Sequence, residues 1–157
     1  MSKQFHLDDR LNKVFNKNKI IKELRYSFGF KKFFSWARPW ICPFEKFIFS
    51  IPNNKSVFDI GCGDGVFLYL IAMLRKPKIL YGVDVIDTDL DTVKTVFNRV
   101  KYKKISTFLD WPEDKFDVVT VIDVLHHIKP EEQSLFVKKT IDKINPGGTL
   151  IIKDMNT

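Results

Sequence analysis

An apolar run ending beside a carboxylate, Val57-Phe58-Asp59-Ile60, leads into three glycines at alternate positions, Gly61, Gly63 and Gly65. After them Val66, Phe67, Leu70, Ile71 and Leu74 recur at helical spacing. Strand, glycine turn and amphipathic helix, in that order, form the opening unit of a doubly wound parallel sheet, and the turn lies where such sheets take a ligand. Glycine tolerates left-handed backbone and lacks a Cβ, so the main chain can lie against a bound molecule. The helix that follows aims unpaired N–H groups at the same place.

The order of residues narrows the ligand. A dinucleotide turn reads G-x-G-x-x-G and seats a pyrophosphate on the helix N-terminus. This turn reads D-x-G-x-G-x-G, with Asp59 ahead of the glycines and Asp64 among them. Two carboxylates repel a pyrophosphate and suit a ligand carrying positive charge, such as an amine or a sulfonium.

The remaining pattern alternates strand and helix. Strands are expected at Ser56 to Ile60, Lys78 to Asp84, Ile105 to Phe108, Asp117 to Ile122 and Thr149 to Lys153. Helices are expected from Gly65 to Leu74, from Thr88 onward with Leu90, Val93, Val96, Phe97 and Val100 inward, and from Glu131 to Ile144. Strands separated by helices pair in parallel through right-handed crossovers. The expected fold class is therefore α/β: a Rossmann-like doubly wound sheet of five parallel strands with helices on both faces. No window of about 20 apolar residues could span a bilayer, and the first residues have no apolar signal-peptide core.

Two regions are expected. Residues 51–157 form the ligand-binding core. Residues 1–50 form a basic, aromatic helical extension that caps it. Apolar side chains at Phe5, Leu7, Leu11, Val14, Phe15, Ile21, Leu24 and Phe28 follow a largely helical spacing. The segment from Phe28 to Phe49 holds nine aromatic residues, a number that ordinary packing of helices on a sheet would also explain, broken by Pro39 and Pro43. Residues 1 to 38 carry ten Lys/Arg against three Asp/Glu, while residues 39 to 157 carry sixteen of each. The whole net charge of +7 therefore lies in the extension. Such an arm suits phosphates of a membrane surface or of a nucleic acid, and equally a solvated helix face. Cys42 and Cys62 make no disulfide framework, which fits a reducing, cytoplasmic setting, soluble or peripheral to a membrane. No His/Cys spacing suggests a metal site.

Val57 to Gly65, Tyr81-Gly82-Val83-Asp84, Phe116 to Val119 continuing into Asp123-Val124-Leu125-His126-His127-Ile128, and Pro146-Gly147-Gly148-Thr149-Leu150 together resemble the class I S-adenosylmethionine-dependent methyltransferases. The likeness is to the small-molecule group that includes ubiquinone-biosynthesis enzymes. It spans roughly residues 56 to 154, in the family's order. The family's sheet is completed by an antiparallel hairpin, strands six and seven, and neither is expected within residues 1–157.

The resemblance implies S-adenosyl-L-methionine as cofactor and S-adenosyl-L-homocysteine as product. It places Asp59 against the methionine part, where a buried structural carboxylate gripping loop N–H groups is an equally good description, and Gly61, Cys62, Gly63 and Gly65 around the cofactor. Asp84, nineteen residues beyond Gly65, would accept the ribose hydroxyls, with Val85 beside it. Asp110 and Trp111 are candidates for adenine, the indole stacking on the ring. Leu109-Asp110-Trp111-Pro112 equally matches a Leu-Pro-aromatic turn of the family. Asp123 would receive the methionine amine, through its carbonyl or its side chain, with Val124 beside it at the cofactor. His126 and His127 are weaker candidates for a general base.

The function expected is in-line methyl transfer to a small or lipid-like acceptor. Three alternatives remain open at this stage: a non-catalytic or truncated cofactor-binding module that needs a partner, an RNA methyltransferase using the basic arm, and an NAD-dependent oxidoreductase. A homodimer is compatible with an open strand edge.

Overall fold

A computed structural model describes residues 17–28 and 44–154. Its central feature is one sheet of five parallel strands: β1 (Ser56–Ile60), β2 (Ile79–Asp84), β3 (Val100–Lys104), β4 (Phe116–Ile122) and β5 (Ile144–Lys153). Their spatial order is β3-β2-β1-β4-β5. The chain steps outward one way from β1 to β3, then returns and steps the other way through β4. The reversal lies between β1 and β4, and right-handed crossovers at such a switch point put successive connections on opposite faces.

Helices α1 (Lys17–Phe28), α2 (Phe44–Ile48), α3 (Val66–Arg75), α4 (Asp91–Lys94) and α5 (Pro130–Asp142) accompany the sheet in the chain. Two compact units are distinguished, Met1–Phe47 and Ile48–Thr157. In the first, α1 buries Ile21, Leu24 and Phe28, three positions on one face at helical spacing. Lys19, Lys22, Arg25 and Tyr26 are exposed on the same helix. The expectations for Phe5, Leu7, Leu11, Val14 and Phe15, and for the aromatic run from Phe30 through Trp40, lie outside the described residues. So do those for His6 and Cys42. Among the described residues no helix is long and apolar enough to cross a membrane.

Period-two alternation sorts the inner strands into two faces. Phe58 and Ile60 of β1 stand in register with Tyr81 and Val83 of β2 and with Val119 and Val121 of β4. These side chains, with Trp111 and Phe116, pack against Phe136 of α5. Aromatic contacts dominate this layer. Phe58 stacks on Phe116 at 5.0 Å between ring centroids, and Trp111 meets Phe136 edge-on at 5.3 Å. The opposite face turns Gly82 toward α3. A Cβ there would lie 2.9 Å from Leu68 Cδ1 and 2.7 Å from Cys62 Sγ, so the residue's emptiness is what lets α3 and the glycine turn close onto β2. Val66 to Ile71 are all buried, which leaves the first turns of α3 no solvent face.

Three boundaries depart from the sequence expectation. The helical pattern from Thr88 to Val100 shrinks to α4, four residues long, and Val100 begins β3 instead. Ile105 to Phe108, expected as strand three, forms the bend after it and the start of a short 3₁₀ turn, Phe108–Asp110. β3 reads Val-Lys-Tyr-Lys-Lys, an edge strand whose lysines hide the apolar alternation that normally betrays a strand. β5 begins at Ile144 rather than Thr149, because Pro146-Gly147-Gly148 forms an irregularity between the pairs Phe116↔Ile144 and Val118↔Thr149.

A carboxylate clasp joins the amino ends of β1 and β4. Asp117 Oδ2 accepts the Ser56 main-chain N–H and the Ser56 hydroxyl, both at 2.9 Å. The same hydroxyl accepts the Asp117 N–H at 2.9 Å, and the Asn145 amide reaches Oδ1 at 3.3 Å. The Ser56 N–H above all, then the Ser56 hydroxyl, Asn145 and the charge of Lys55, hold the Asp117 carboxyl below the ordinary carboxylate value against the opposing effect of burial. A depressed folded value contributes stability above the unfolded carboxylate value, and that contribution disappears as pH falls through the folded one. Asp117→Ala should therefore cost about 1–2 kcal/mol near pH 7 in urea unfolding, with a smaller difference near pH 3. An equal difference at both pH values would contradict the clasp.

Candidate functional site

The carboxyl ends of β1, β2 and β4 converge because the strands pair in parallel and in register. Ile60 stands opposite Val83 on one side and Val121 on the other. Gly61 and Asp123, which follow β1 and β4, and Asp84, which ends β2, therefore share one edge of the sheet. This is the edge at which doubly wound sheets bind ligands.

Gly61 leaves β1 with φ 75°, and its N–H and that of Cys62 both bond the Val83 carbonyl, at 2.9 and 3.1 Å. A Cβ on Gly61 would lie 2.4 Å from Val124 Cγ2. The turn from β1 and the turn from β4 thus touch at a point that admits no side chain. Gly63 and Gly65 also have positive φ, and Gly65 opens α3 without a side-chain cap. The first turn of α3 carries no acidic residue, so its N–H groups face the turn without a competing carboxylate of their own.

Asp84 ties this turn to the end of β2. Its Oδ2 accepts the Gly63 N–H at 2.7 Å, and its Oδ1 accepts the Ile86 N–H at 3.1 Å. Each carboxylate oxygen has a further lone pair for an incoming hydroxyl. Val85 and Ile86 beside it are 62% and 51% exposed, an apolar surface next to a polar anchor. Asp59 is buried at 3% exposure, and its Oδ1 accepts the Thr120 hydroxyl at 2.6 Å. Cys62 is buried, its thiol toward the Gly63 carbonyl at 3.7 Å.

The end of β4 is more heavily wired. Asp123 adopts left-handed backbone at φ 56°, a conformation that costs a non-glycine residue about 1 kcal/mol. Its N–H bonds the Lys153 carbonyl at 2.8 Å, and its Oδ1 pairs with the Lys153 ammonium. Leu125–His127 form a 3₁₀ turn, with the Gln133 amide bonding the carbonyls of Leu125 and Ile128 from α5. His126 Nδ1 lies 2.7 Å from Asp154 Oδ1, and the His127 ring lies 3.9 Å from the His126 ring.

Asp110 and Trp111 are both engaged within the protein. Trp111 is 4% exposed, with Phe58 and Phe136 against it and Phe108 alongside. Its indole faces are spent on the core, which corrects the expectation that it stacks on a ligand ring. Its Nε1 has no hydrogen-bond partner. Asp110 closes a capping box: its Oδ2 accepts the N–H groups of Ser106 and Thr107 at 2.9 and 3.0 Å, and these bonds hold its carboxyl below the ordinary value. Leu109-Asp110-Trp111-Pro112 is therefore part of a capped turn.

Sequence reasoning missed Thr120, Lys153 and Asp154, the partners of Asp59, Asp123 and His126. A cavity of about 90 Å³ beside Lys55, Asp117 and Gly148 lies at the amino ends of the strands, far from this edge and too small for a nucleoside. Among the described residues no cluster of His, Cys, Asp and Glu could hold a metal ion.

A family profile described as Methyltransferase domain matches residues 35–157. The chain belongs to this methyltransferase family. Sequence relatives include the ubiquinone biosynthesis O-methyltransferase of Idiomarina loihiensis, 30% identical over 109 residues, 66% of this chain and 43% of that protein. The mitochondrial ubiquinone biosynthesis O-methyltransferase of Candida albicans is 26% identical over 112 residues, 66% of this chain and 33% of that one. The chain thus spans less than half the length of these relatives. Among solved structures, the N-methyltransferase NodS of Bradyrhizobium japonicum in complex with S-adenosyl-L-homocysteine superposes with a TM-score of 0.60 at 18% identity, covering 73% of this chain and 60% of that one. An O-methyltransferase family protein of Burkholderia thailandensis gives 0.59 at 19% identity, covering 74% and 37%. These likenesses show the class I Rossmann-like methyltransferase fold.

The contact of the two turns is directly testable. Gly61→Ala should lower stability by about 1–3 kcal/mol through left-handed strain and collision with a stiff β-branched neighbour. Adding Val124→Ala should recover the collision but not the strain. An unchanged urea midpoint in Gly61→Ala would show that the turns do not meet as described.

Proposed function

We propose that this chain carries the cofactor-binding core of an S-adenosylmethionine-dependent methyltransferase that acts on a small or lipid-like molecule. One observation carries the reading: Asp59, Asp84 and Asp123 lie at the carboxyl ends of three neighbouring strands, around a glycine turn held open by Asp84. Such a set suits a ligand with an ammonium, a sulfonium and vicinal hydroxyls, and disfavours a pyrophosphate. The family match and the relatives named as O-methyltransferases support the same activity.

When bound, the cofactor supplies a methyl group already activated by the positive sulfur. The chain's residues have the task of binding, orientation and exclusion of water. Asp84 would accept the ribose hydroxyls while keeping the Gly63 N–H in place. Val85 would offer its exposed apolar surface to the nucleoside. The main chain of Gly61, Cys62 and Gly63 would line the methionine part, with Asp59 and Thr120 beneath it. Asp123 would approach the cofactor's amine by its main-chain carbonyl, since its carboxylate is engaged by Lys153. Gly65 and Val124 shape the rim. The acceptor would meet the sulfonium beyond the end of β4.

Calorimetry with the full chain tests the reading. S-adenosyl-L-homocysteine should bind in a one-to-one complex, NAD should give no heat, and Asp84→Ala should weaken the homocysteine complex about 10- to 100-fold. Binding of NAD in preference, or a homocysteine affinity indifferent to Asp84→Ala, would refute it.

A further inference from the structure

A ligand that carries an ammonium and a sulfonium favours a negative cleft. Yet of the carboxylates Asp59, Asp84 and Asp123, the last is spent on a cation of the chain's own. Asp123 Oδ1 pairs with the Lys153 ammonium. The Asp123 N–H also bonds the Lys153 carbonyl at 2.8 Å, so one residue of β5 grips Asp123 by main chain and side chain together. Strand register sets this up: Ile122 stands opposite Lys153, and Asp123 follows Ile122 out of β4. The Lys153 side chain is 20% exposed and that of Asp123 is 17%, so water and salt screen the pair less than they screen a surface ion pair.

Asp84 is held differently. Its partners are the main-chain N–H groups of Gly63 and Ile86, donors without formal charge, and its negative charge remains for the cleft. At Asp123 a full cation cancels the charge. The turn after β4 does not need that cation to stay in place. The main-chain bond from Asp123 to Lys153 holds its start, and Asp154 Oδ2 accepts the His126 N–H at 3.2 Å further along. The ammonium therefore acts on charge more than on the path of the chain.

We propose that Lys153 is a specificity-determining residue that competes with the cofactor's ammonium for the Asp123 carboxylate, and so keeps the cleft from gripping cofactor and product too tightly. This rests on the S-adenosyl reading of the cleft and goes beyond it. Cofactor and product carry the same ammonium and differ at sulfur. A carboxylate given wholly to that ammonium would hold both alike. Uniform binding of this kind does not speed the reaction, and it delays release of the product. With Lys153 in place the amine meets a neutral ion pair and the Asp123 carbonyl. A cation fixed a few ångströms from a second cation at a half-buried rim changes affinity by about tenfold.

Calorimetry of the full chain with three ligands tests this. S-adenosyl-L-homocysteine carries an ammonium and a carboxylate, its decarboxylated form carries the ammonium alone, and 5′-methylthioadenosine carries neither. Lys153→Met should bind the decarboxylated form about tenfold more tightly and the homocysteine in the same direction, with methylthioadenosine within about twofold. Asp123→Asn keeps a side chain that tolerates left-handed backbone, and it should weaken both amine-bearing ligands while sparing methylthioadenosine. Lys153→Arg preserves the charge and should match the wild type. Unchanged or weaker binding of the decarboxylated form in Lys153→Met, or an equal change for methylthioadenosine, would overturn the proposal. So would a loss confined to the homocysteine, which would make Lys153 a partner of the ligand's carboxylate. Where the urea midpoint shows that Lys153→Met does not fold, Asp123→Asn decides by the same comparison of ligands. A wild-type chain that binds none of the three would overturn the S-adenosyl reading and this proposal together, so the two failures are distinguishable.

Discussion

The parallel pairing of β1 between β2 and β4 is the constraint on which the rest of the structure depends. It places the ends of three strands at one edge, and the groups assigned to the cleft lie at or just beyond those ends. This arrangement sets Gly61 against Val124 and the Asp84 carboxylate under the Gly63 N–H. The pairing is secured at its far end by the Asp117–Ser56 clasp and along its length by the aromatic layer between the sheet and α5. Site geometry is thus inherited from strand register, and register from the burial of the strands' apolar side chains.

The carboxylates of the cleft show how a binding site is held together before any ligand enters. Asp59 has Thr120, Asp84 has two main-chain N–H groups, and Asp123 has Lys153. A cluster of unpaired carboxylates at a half-buried edge would repel itself and cost desolvation energy. Local donors relieve that cost, and the lone pairs they leave unused remain for a polar ligand. The glycine turn likewise has a packing reason as well as a binding one: Gly61 and Gly65 are places where a methyl group would meet Val124 or Leu90.

Much of this was legible in the sequence, for physical reasons. β1 and β4 are buried along most of their length and appear as largely apolar runs. The turn after β1 announces itself by its glycines, and Asp84 by its place at the end of an apolar strand. β3 was misplaced because an edge strand needs no apolar alternation, and its lysines resemble a loop. Trp111 was misjudged because a large aromatic near the expected cleft can equally fill the core, and only the three-dimensional path decides which. Lys153 and Asp154 could not be paired with Asp123 and His126 from spacing, since their separation of about thirty residues is bridged only by the β4–β5 register. Had that register been assumed from the strand assignments, the two acid–base pairs would have followed.

The most direct measurement is an amide NMR map of the full chain titrated with S-adenosyl-L-homocysteine. The account predicts that the largest shifts fall on Gly61 to Gly65, on Asp84 to Ile86 and on Asp123 to Leu125, with the amino ends of the strands around Ser56 and Asp117 unmoved. Saturable shifts centred anywhere else, or none at ligand concentrations that saturate comparable enzymes, would contradict it.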